Sequence, residues 1–292
     1  MTSLDAWCAK GKHFDYRGYP IFYVEEGSGE PLVCIHGFPT ASWDWAWVWP
    51  ELTKRFRVIA PDMIGFGFSA KPRAYEYSLR DQATLHEQLL ADLGVNAAII
   101  LAHDYGDTVA QELLARFEER NAAGADGLRI RGVCFLNGGI IPGEHRPRPM
   151  QKLLAGPFGA LIGRLTNERT FNRSFSEIFG PNTQPSREEL AQFWRLIEHN
   201  GGRYVLHKVI RYMRERMQYR DRWVHALQAA SVPRRFVNGP EDPVSGRHMA
   251  ETYARIVPDA DVVLIEGIGH YPQVEAPEQV LEAFDSFVTT LR

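Results

Sequence analysis

Short apolar runs alternate with amphipathic stretches along most of the chain. The first two runs have the pattern of a β-hairpin. The apolar residues of the later runs are continuous, which is typical of strands buried on both faces. In chain order the runs are HFDYRG, PIFYVEEG, PLVCIHG, RVIAPD, AAIILAHD, RGVCFLNG, VPRRFVNG and DVVLIEG. Between them, TLHEQLLADLG and VAQELLARF each place their apolar residues on one helical face. The pattern predicts an α/β fold with a mostly parallel sheet and helices on both faces.

The middle of the chain departs from this alternation. Residues 142–230 contain no convincing buried strand, but they include the helical stretches REELAQFWRLIEH and RYVLHKVIRYMRERMQYRDRWVHAL. We therefore predict a core domain in two parts, residues 1–141 and 231–292, with a helical cap inserted at 142–230. Helices over the carboxyl edge of the sheet would form a lid, and open α/β sheets bind their ligands at that edge.

Composition narrows the possible functions. The 292 residues are 45% hydrophobic and 24% charged with a formal net charge of -3, which is ordinary for a globular protein and gives no reason to expect a nucleic-acid partner. There is no signal-peptide pattern and no apolar run of about 18 residues, so we expect a cytoplasmic protein without membrane association. Cys34 and Cys134 lie in apolar runs and are interpreted as reduced core residues, and Cys8 completes no metal-ligand spacing. A monomer and a homodimer are both open.

Four loops that directly follow predicted strands carry residues suited to chemistry. They are HGFP (36–39), HDYG (103–106), NGPEDP (238–243) and IGHYP (268–272). Parallel strands end on the same side of a sheet, so all four loops should meet at one edge.

Asp104 occupies the centre of the second loop. The pentapeptide AHDYG has the small-x-nucleophile-x-small pattern of a sharp strand-to-helix turn, with aspartate in place of the usual serine. Asp104 could instead be a simple helix cap. The three matching loops favour a nucleophile. A carboxylate is ionised at neutral pH without a base, and its attack on saturated carbon leaves an alkyl-enzyme ester that activated water can hydrolyse.

These motifs resemble the epoxide hydrolase and haloalkane dehalogenase group of the α/β-hydrolase fold, over nearly the whole chain from HGFPTASWDW to IGHYPQVEAPE. HDYGDTVAQELL, NGGIIPGEHRP and FGPNTQPS are most similar to the mesoderm-specific-transcript-like branch. The resemblance implies an aspartate nucleophile, no cofactor and no metal. It also implies that the backbone N–H groups of Phe38 and Tyr105 form an oxyanion hole.

His270 and Asp242 are the candidates for the remaining catalytic roles. His270 follows the last strand, where the base that activates water is expected, and Asp242 would fix its tautomer. An ordinary loop histidine and a simple Asp-Pro turn are the alternatives. One dehalogenase subgroup has its acid at the end of the strand before the lid, but Asn137 occupies that position here. His103 is interpreted as a packed histidine.

The leaving-group site separates the two reactions of the group. Dehalogenases hold the halide with a tryptophan after the nucleophile and with an asparagine or second tryptophan, whereas Tyr105 and Phe38 stand at these positions here. Epoxide hydrolases protonate the opening oxygen with lid tyrosines, and Tyr212 best matches that position. Tyr204 is a possible second donor and Tyr219 a weaker one. Other residues expected around the pocket are His36, Pro39, Trp43 and Trp194.

The sequence therefore predicts a cofactor-free epoxide hydrolase, whose partners are a small epoxide and water. Haloalkane dehalogenation remains an alternative, because the lid tryptophans Trp194 and Trp223 could hold a halide. A non-catalytic, lid-gated binding protein is a second alternative, which the complete set of nucleophile, base and acid disfavours.

Overall fold

A computed structural model describes residues 2–291 and contains a single eight-stranded sheet. Its order is β1-β2-β4-β3-β5-β6-β7-β8, with antiparallel pairing of β1 with β2 and of β2 with β4 and parallel pairing elsewhere. The strands are β1 (Lys12–Tyr16), β2 (Tyr19–Glu26), β3 (Glu30–Ile35), β4 (Phe56–Pro61), β5 (Ala97–His103), β6 (Arg129–Leu136), β7 (Arg234–Asn238) and β8 (Asp261–Leu264). All eight predicted runs form strands, and the predicted mostly parallel sheet is confirmed.

The central strands are buried along nearly their whole length. Six consecutive residues of β5 and five of β6 are inaccessible to solvent. Successive side chains of a strand point to opposite faces, so both faces of the sheet are covered. This is why the sequence shows continuous apolar runs instead of alternation in these strands.

Helices of the core domain connect and cover the strands. Ser78 begins α3 by accepting a hydrogen bond from the N–H of Asp81, as a helix-capping serine does. The core helices are α1 (Leu4–Ala9), α2 (Trp49–Leu52), α3 (Leu79–Asp92), α4 (Tyr105–Ala123), α12 (Arg247–Ile256), α13 (Pro272–Glu275) and α14 (Pro277–Thr289), with a 3-10 helix at Ser42–Trp45.

Helices alone lie between β6 and β7 in the described chain. They are α5 (Pro149–Ala155), α6 (Gly159–Leu165), α7 (Glu168–Ser176), α8 (Arg187–Glu198), α9 (Leu206–Val209), α10 (Tyr212–Gln218) and α11 (Arg220–Ala229), with a 3-10 helix at His199–Tyr204. The stretch from Arg203 to Leu227, which the sequence predicts to be helical, is broken into separate helices. The backbone of Tyr219 is non-helical at the break between α10 and α11. Within residues 2–291, every helix is too short or too polar to cross a bilayer.

Parallel pairing brings the chemically interesting loops together. β3, β5, β7 and β8 run in the same direction, so the residues that follow them emerge at the same edge of the sheet. Phe38, Asp104, Asp242 and His270 all lie in these loops.

Candidate active site

Asp104 stands at a strained turn between β5 and α4. Its backbone has φ 48° and ψ -104°, a conformation that costs a non-glycine residue about 1–3 kcal/mol and is concentrated at functional sites. The turn also requires glycine two residues later, because a Cβ on Gly106 would lie 2.3 Å from the carbonyl oxygen of Ile35. The turn therefore packs directly against the end of β3 and raises Asp104 above the sheet edge.

The carboxylate of Asp104 is 5% exposed and is held by a backbone donor. The N–H of Phe38 donates to Oδ2 of Asp104 at 3.1 Å. Tyr105 is the first residue of α4, and the first N–H groups of a helix have no acceptor within the helix and attract negative charge. The N–H groups of Phe38 and Tyr105, which were predicted to form an oxyanion hole, therefore both lie beside this carboxylate.

His270 and Asp242 form a buried pair beside Asp104. Nδ1 of His270 lies 2.7 Å from Oδ2 of Asp242, and Nε2 lies 4.0 Å from Oδ2 of Asp104. Because Asp242 is an acceptor, the proton of a neutral His270 resides on Nδ1, and Nε2 is left facing Asp104 with a lone pair. The structure thus brings together the three residues assigned as nucleophile, base and acid.

Electrostatics favours the ionised form of this pair. Burial disfavours the imidazolium, but the charge of Asp242, its hydrogen bond and the charge of Asp104 outweigh burial and raise the pKa of His270 to about 9. Burial likewise disfavours the carboxylate of Asp242, but His270 and the surrounding donors lower its pKa to about 2. At neutral pH His270 is therefore an imidazolium, with both ring nitrogens protonated.

Donors that surround Asp242 fix its orientation. The N–H of Val244 donates to Oδ1 at 2.7 Å, and Oγ of Ser245 donates to Oδ2 at 2.6 Å. Nδ2 of Asn137 donates to the same Oδ2 at 3.1 Å and to the carbonyl of Gly239 at 3.0 Å. Asn137, which stands where some relatives would have the acid, therefore supports the acid that comes from the later loop.

Tyr212 of α10 packs over the oxyanion-hole residues. Its ring lies 4.9 Å from the ring of Tyr105 and 5.8 Å from that of Phe38. It is 3% exposed. Burial and then the charge of Asp104 raise the pKa of Tyr212, whereas Arg216 acts in the opposite direction. The phenol is therefore protonated and close enough to Asp104 for the charge of that carboxylate to act on it.

The other lid tyrosines lie elsewhere. Tyr204 is held between Arg73 and Arg203 on the outer side of the cap, and its hydroxyl accepts a hydrogen bond from Arg203 at 3.0 Å. Tyr219 packs on Trp223 and accepts from Arg80 at 3.3 Å. The structure brings only Tyr212, of the three tyrosines considered, to the surroundings of Asp104.

Only some of the residues predicted to line the pocket do so in the structure. Phe38, Pro39 and His270 line a mainly apolar cavity of about 90 Å³ between the core loops and the cap. Trp43 instead packs on Phe193, and its indole N–H donates to the carbonyl of Thr2. The cap contributes further lining residues that the sequence did not suggest: Arg148, Met150, Gln151, Leu154, Thr166, Thr170, Phe171, Ser174, Phe175, Ile178 and Leu206.

This cavity is also not lined by His36, Trp194 or His103. Nε2 of His36 accepts from the N–H of Met63 at 3.0 Å and Nδ1 contacts the carbonyl of Gly37 at 2.8 Å, so His36 braces the turn. Trp194 packs against Phe171 behind the cavity wall. His103 is packed as expected, with Nε2 2.7 Å from the carbonyl of His270, and burial lowers its pKa to about 3.

Arg216 is the main site residue that the sequence did not single out. It is 1% exposed, and its Nη2 lies 2.8 Å from the carbonyl oxygen of Asp104 and 3.8 Å from Oδ1 of the same residue. Nε donates to Oγ1 of Thr108 at 2.8 Å. In the sequence it is one of several arginines in RYMRERMQYRDRW, and nothing in that pattern distinguishes it. Ser245, by contrast, could have been found, because Asp-Pro-x-Ser is typical of a turn capped by the aspartate.

No group of three or more His, Cys, Asp or Glu side chains in the described part of the chain is arranged to hold a metal ion. The groups that the structure brings to this edge of the sheet are a carboxylate, an imidazole, a phenol, a guanidinium and backbone N–H groups. Such a set can perform nucleophilic attack, proton transfer and stabilisation of an oxyanion.

The chain belongs to the alpha/beta hydrolase family, whose model matches residues 32–283. It is 44% identical to the mesoderm-specific transcript homolog protein of Homo sapiens over 99% of this chain and 88% of that protein. It is 42% identical to a soluble epoxide hydrolase of Corynebacterium sp. over 62% of this chain and 64% of that enzyme. The predicted resemblance to the mesoderm-specific-transcript-like branch is confirmed.

A solved haloalkane dehalogenase, DbeA of Bradyrhizobium elkani, shares the fold with a TM-score of 0.81. The match covers 96% of this chain and 98% of that one at 24% identity. At this level of identity the likeness shows the fold alone, and the predicted α/β-hydrolase fold is confirmed.

Proposed function

We propose that this hydrolase converts an epoxide to a vicinal diol through an ester on Asp104. The observation that carries the proposal is the placement of Tyr212, a buried phenol that packs on Phe38 and Tyr105 and whose pKa is raised by burial and by the charge of Asp104. An epoxide needs a nucleophile for its carbon and a proton for its oxygen. Asp104 would supply the first and Tyr212 the second; both side chains are buried beside Phe38, which lines the cavity, although neither of them lines it directly.

In the first step Oδ1 of Asp104 attacks an epoxide carbon. Oδ2 is already occupied by the N–H of Phe38, so Oδ1 is the oxygen free to form the new C–O bond. As this bond forms, the ring C–O bond breaks, its electron pair goes to the ring oxygen, and Tyr212 donates the proton. The products are a β-hydroxyalkyl ester on Asp104 and a tyrosinate.

In the second step His270 activates water against that ester. The 4.0 Å between Nε2 of His270 and Oδ2 of Asp104 is long for a direct hydrogen bond, so a water molecule there can contact both groups. Nε2 takes a proton as the water oxygen bonds to Cγ, and the N–H groups of Phe38 and Tyr105 stabilise the oxyanion. Collapse expels the diol oxygen, which takes the proton from His270, and the new Asp104 carboxyl group returns a proton to the tyrosinate.

The charge of Asp104 links the two steps. While Asp104 is ionised, it helps to keep His270 protonated. Esterification removes this negative charge, so the pKa of His270 falls, the imidazolium releases its extra proton to solvent and the imidazole can act as a base; when the free carboxylate of Asp104 is regenerated, His270 takes up a proton from solvent again. The base is thus released only after the nucleophile has reacted.

Haloalkane dehalogenation is the second candidate, because the Asp104–His270–Asp242 set would serve it equally. A halide needs N–H donors, but the indole N–H of Trp223 is bound to Glu112 at 2.9 Å and that of Trp43 to Thr2 at 3.0 Å. Trp194 does not line the cavity. These placements favour epoxide opening.

The decisive experiment uses wild-type protein, Asp104→Ala and His270→Gln with styrene oxide. Wild type should form the diol, Asp104→Ala should not, and His270→Gln should accumulate an adduct on Asp104 that intact-protein and peptide mass spectrometry detect. Unchanged turnover in Asp104→Ala would refute the mechanism. Halide release from a bromoalkane panel without diol formation would establish the second candidate.

Absence of both reactions in folded wild-type protein across epoxide and bromoalkane panels would favour the third reading, a non-catalytic binding protein. Calorimetry that measures tight binding of an epoxide, with no adduct formed, would then support a binding protein. The strained backbone of Asp104 argues against this reading, since a cost of about 1–3 kcal/mol would serve no purpose in a pure binding fold.

A further inference from the structure

The cap exposes an unusual apolar surface on α5, α6 and the turn between them. Leu153 is 53% exposed, Phe158 71%, Leu161 53% and Leu165 65%, and we call these four residues the α5–α6 face. Phe158, Leu161 and Leu165 follow each other at intervals of three and four residues and so lie on one side of the helix. Single exposed leucines are normal in soluble proteins, but three large apolar side chains exposed on one side of α6, with a fourth on the neighbouring α5, indicate a docking surface.

Positive charge surrounds this face. The cap, residues 142–230, contains fifteen Arg and Lys against eight Asp and Glu, while the rest of the chain contains eighteen against twenty-eight. Lys152 and Arg164 lie within α5 and α6 themselves and are exposed. Neither has a carboxylate within 4.0 Å among residues 2–291. The overall net charge of -3 is therefore the sum of a positively charged cap and a negatively charged core.

A basic hollow adjoins the same helix. Arg73, Arg164, His207 and Lys208 line it together with Tyr204 and Ala160, and none of the lining residues is acidic. The guanidinium of Arg73 stacks on the ring of Tyr204 at 4.5 Å, and Nζ of Lys208 donates to the carbonyl of Arg73 at 2.6 Å. These contacts order the hollow without neutralising it. A phosphate group is the ligand that such a cationic, hydrogen-bonding hollow fits.

We propose that the α5–α6 face docks this protein on an anionic lipid bilayer, with lipid phosphates held in the adjoining basic hollow. Apolar side chains that enter the interface, combined with nearby Lys and Arg, are the two signals that peripheral membrane binding requires. In the sequence, residues 153–163 (LLAGPFGALIG) contain no polar side chain, but the pattern does not show which of them are exposed.

The same helices connect the bilayer to the cavity. Leu153 of α5 faces outward, whereas the next residue, Leu154, lines the cavity beside His270. α7 follows α6 directly and contributes Phe171 and Phe175 to that cavity. Resting on the proposed function, this arrangement indicates a substrate class, namely epoxides with a long apolar chain that partition into membranes.

A second copy of the chain fits the face less well. Self-association about a two-fold axis places the same surface on both sides of the interface, so the cationic surroundings of each face would meet each other. Like charges brought together across an interface oppose association. An anionic bilayer offers the complementary charge instead.

Vesicle flotation tests the proposal, with phosphatidylcholine vesicles compared with vesicles of equal parts phosphatidylcholine and phosphatidylglycerol. Wild type should float with the anionic vesicles and release at high salt. Phe158→Ser/Leu161→Ser should weaken partitioning roughly tenfold or more, and Lys152→Gln/Arg164→Gln by about fivefold per charge removed. The matched controls Leu264→Ser and Lys54→Gln, which change an exposed leucine and an exposed lysine of the core, should bind as wild type does.

Three outcomes would overturn the proposal: no flotation of folded wild type, equal flotation with both kinds of vesicle, or a wild-type dimer in sedimentation analysis that Phe158→Ser/Leu161→Ser converts to monomer. Asp104→Ala keeps the proposed function and the docking separable. This variant should float as wild type does. If wild type docks but turns over no epoxide, only the proposed reaction is refuted. If wild type hydrolyses styrene oxide but does not dock, only the proposed membrane surface is refuted.

Discussion

The guanidinium of Arg216 donates a hydrogen bond to the backbone carbonyl of Asp104, with 2.8 Å between Nη2 and the oxygen. A cap helix thereby holds the strained turn of the core domain. Arg216 also lies 4.6 Å from the ring centre of Tyr212, so one buried cation contacts both the proposed nucleophile and the proposed proton donor. The cap is thus part of the candidate site as well as its cover.

Arg216→Met should therefore impair both folding and catalysis. The carbonyl of Asp104 and the hydroxyl of Thr108 would lose a charged donor, which should lower the free energy of unfolding by about 1–3 kcal/mol. Because the phenol of Tyr212 would lose the cation that favours its ionisation, kcat for epoxide opening should fall by roughly tenfold or more. The control is Arg220→Met, whose partner is the carbonyl of Pro142. Equal kcat values in the two variants would contradict this role.

Tyr212→Phe should selectively slow epoxide opening. Removal of the proton donor should reduce the rate of ester formation by roughly a hundredfold or more, measured in a single turnover with styrene oxide. Tyr204→Phe and Tyr219→Phe serve as matched controls, because both hydroxyls are bound to arginines away from Asp104. If either control loses as much activity as Tyr212→Phe, the assignment of the donor is wrong.

Asp242→Asn should trap the ester. The amide cannot stabilise the imidazolium, and the tautomer of His270 is no longer fixed, so hydrolysis should slow by roughly three to four orders of magnitude while alkylation of Asp104 continues. Mass spectrometry of the variant after exposure to epoxide should detect the adduct. Glu241→Gln changes the neighbouring exposed acid and should behave as wild type. Loss of activity in Glu241→Gln without loss in Asp242→Asn would reverse the assignment.

The stability difference between wild type and Asp242→Asn should depend on pH. His270 has a raised pKa of about 9 in the folded state, so its contribution is complete below its ordinary value of about 6.5 and is lost as pH rises through 9. Asp242 has a lowered pKa of about 2, so its contribution is complete above about 4 and is lost as pH falls. Chemical denaturation should show the largest difference between about pH 4 and 6.5. A difference that grows toward pH 9 would contradict the ion pair.

Gly106→Ala should destabilise the turn. The added Cβ would lie 2.3 Å from the carbonyl oxygen of Ile35 and 2.7 Å from that of His36, and relief of this overlap requires a backbone shift that costs roughly 1–3 kcal/mol. Thermal unfolding measures the loss. Gly156→Ala is the control, because its Cβ would approach no atom closer than 3.3 Å. Similar stabilities of the two variants would show that the contact is not as tight as described.

Much of this description could be predicted from the sequence because it depends on local pattern and on one geometric rule. A hairpin pattern identified the first two strands and short apolar runs the other six. Parallel strands end at one edge, so the loops that carry Asp104, Asp242 and His270 were expected to lie close together. The oxyanion-hole assignment of Phe38 and Tyr105 came instead from the resemblance of the HGFP and HDYG motifs to those of the family. No knowledge of the cap enters these conclusions.

The cap could be recognised as helical, but not oriented. Tyr204 and Tyr212 are eight residues apart and seemed able to share a face, yet the 3-10 helix at His199–Tyr204 and the short α9 separate them, and Tyr204 points to the outer side of the cap. Trp43 and Trp194 were expected at the pocket for their size and position in the sequence, but both are used to pack one element on another. Arg216 was hidden among similar arginines.

The sequence by itself determined the sheet, the edge at which the loops with Asp104, Asp242 and His270 meet, and the roles proposed for these residues, since each follows from hydrophobic periodicity or from its place directly after a strand. Tertiary structure alone decided which tyrosine faces Asp104, that Arg216 holds the turn, and that an apolar face with basic surroundings lies on the cap. These features depend on contacts between residues far apart in the chain. Such contacts are set by how short helices pack on one another, and local pattern carries no record of that packing.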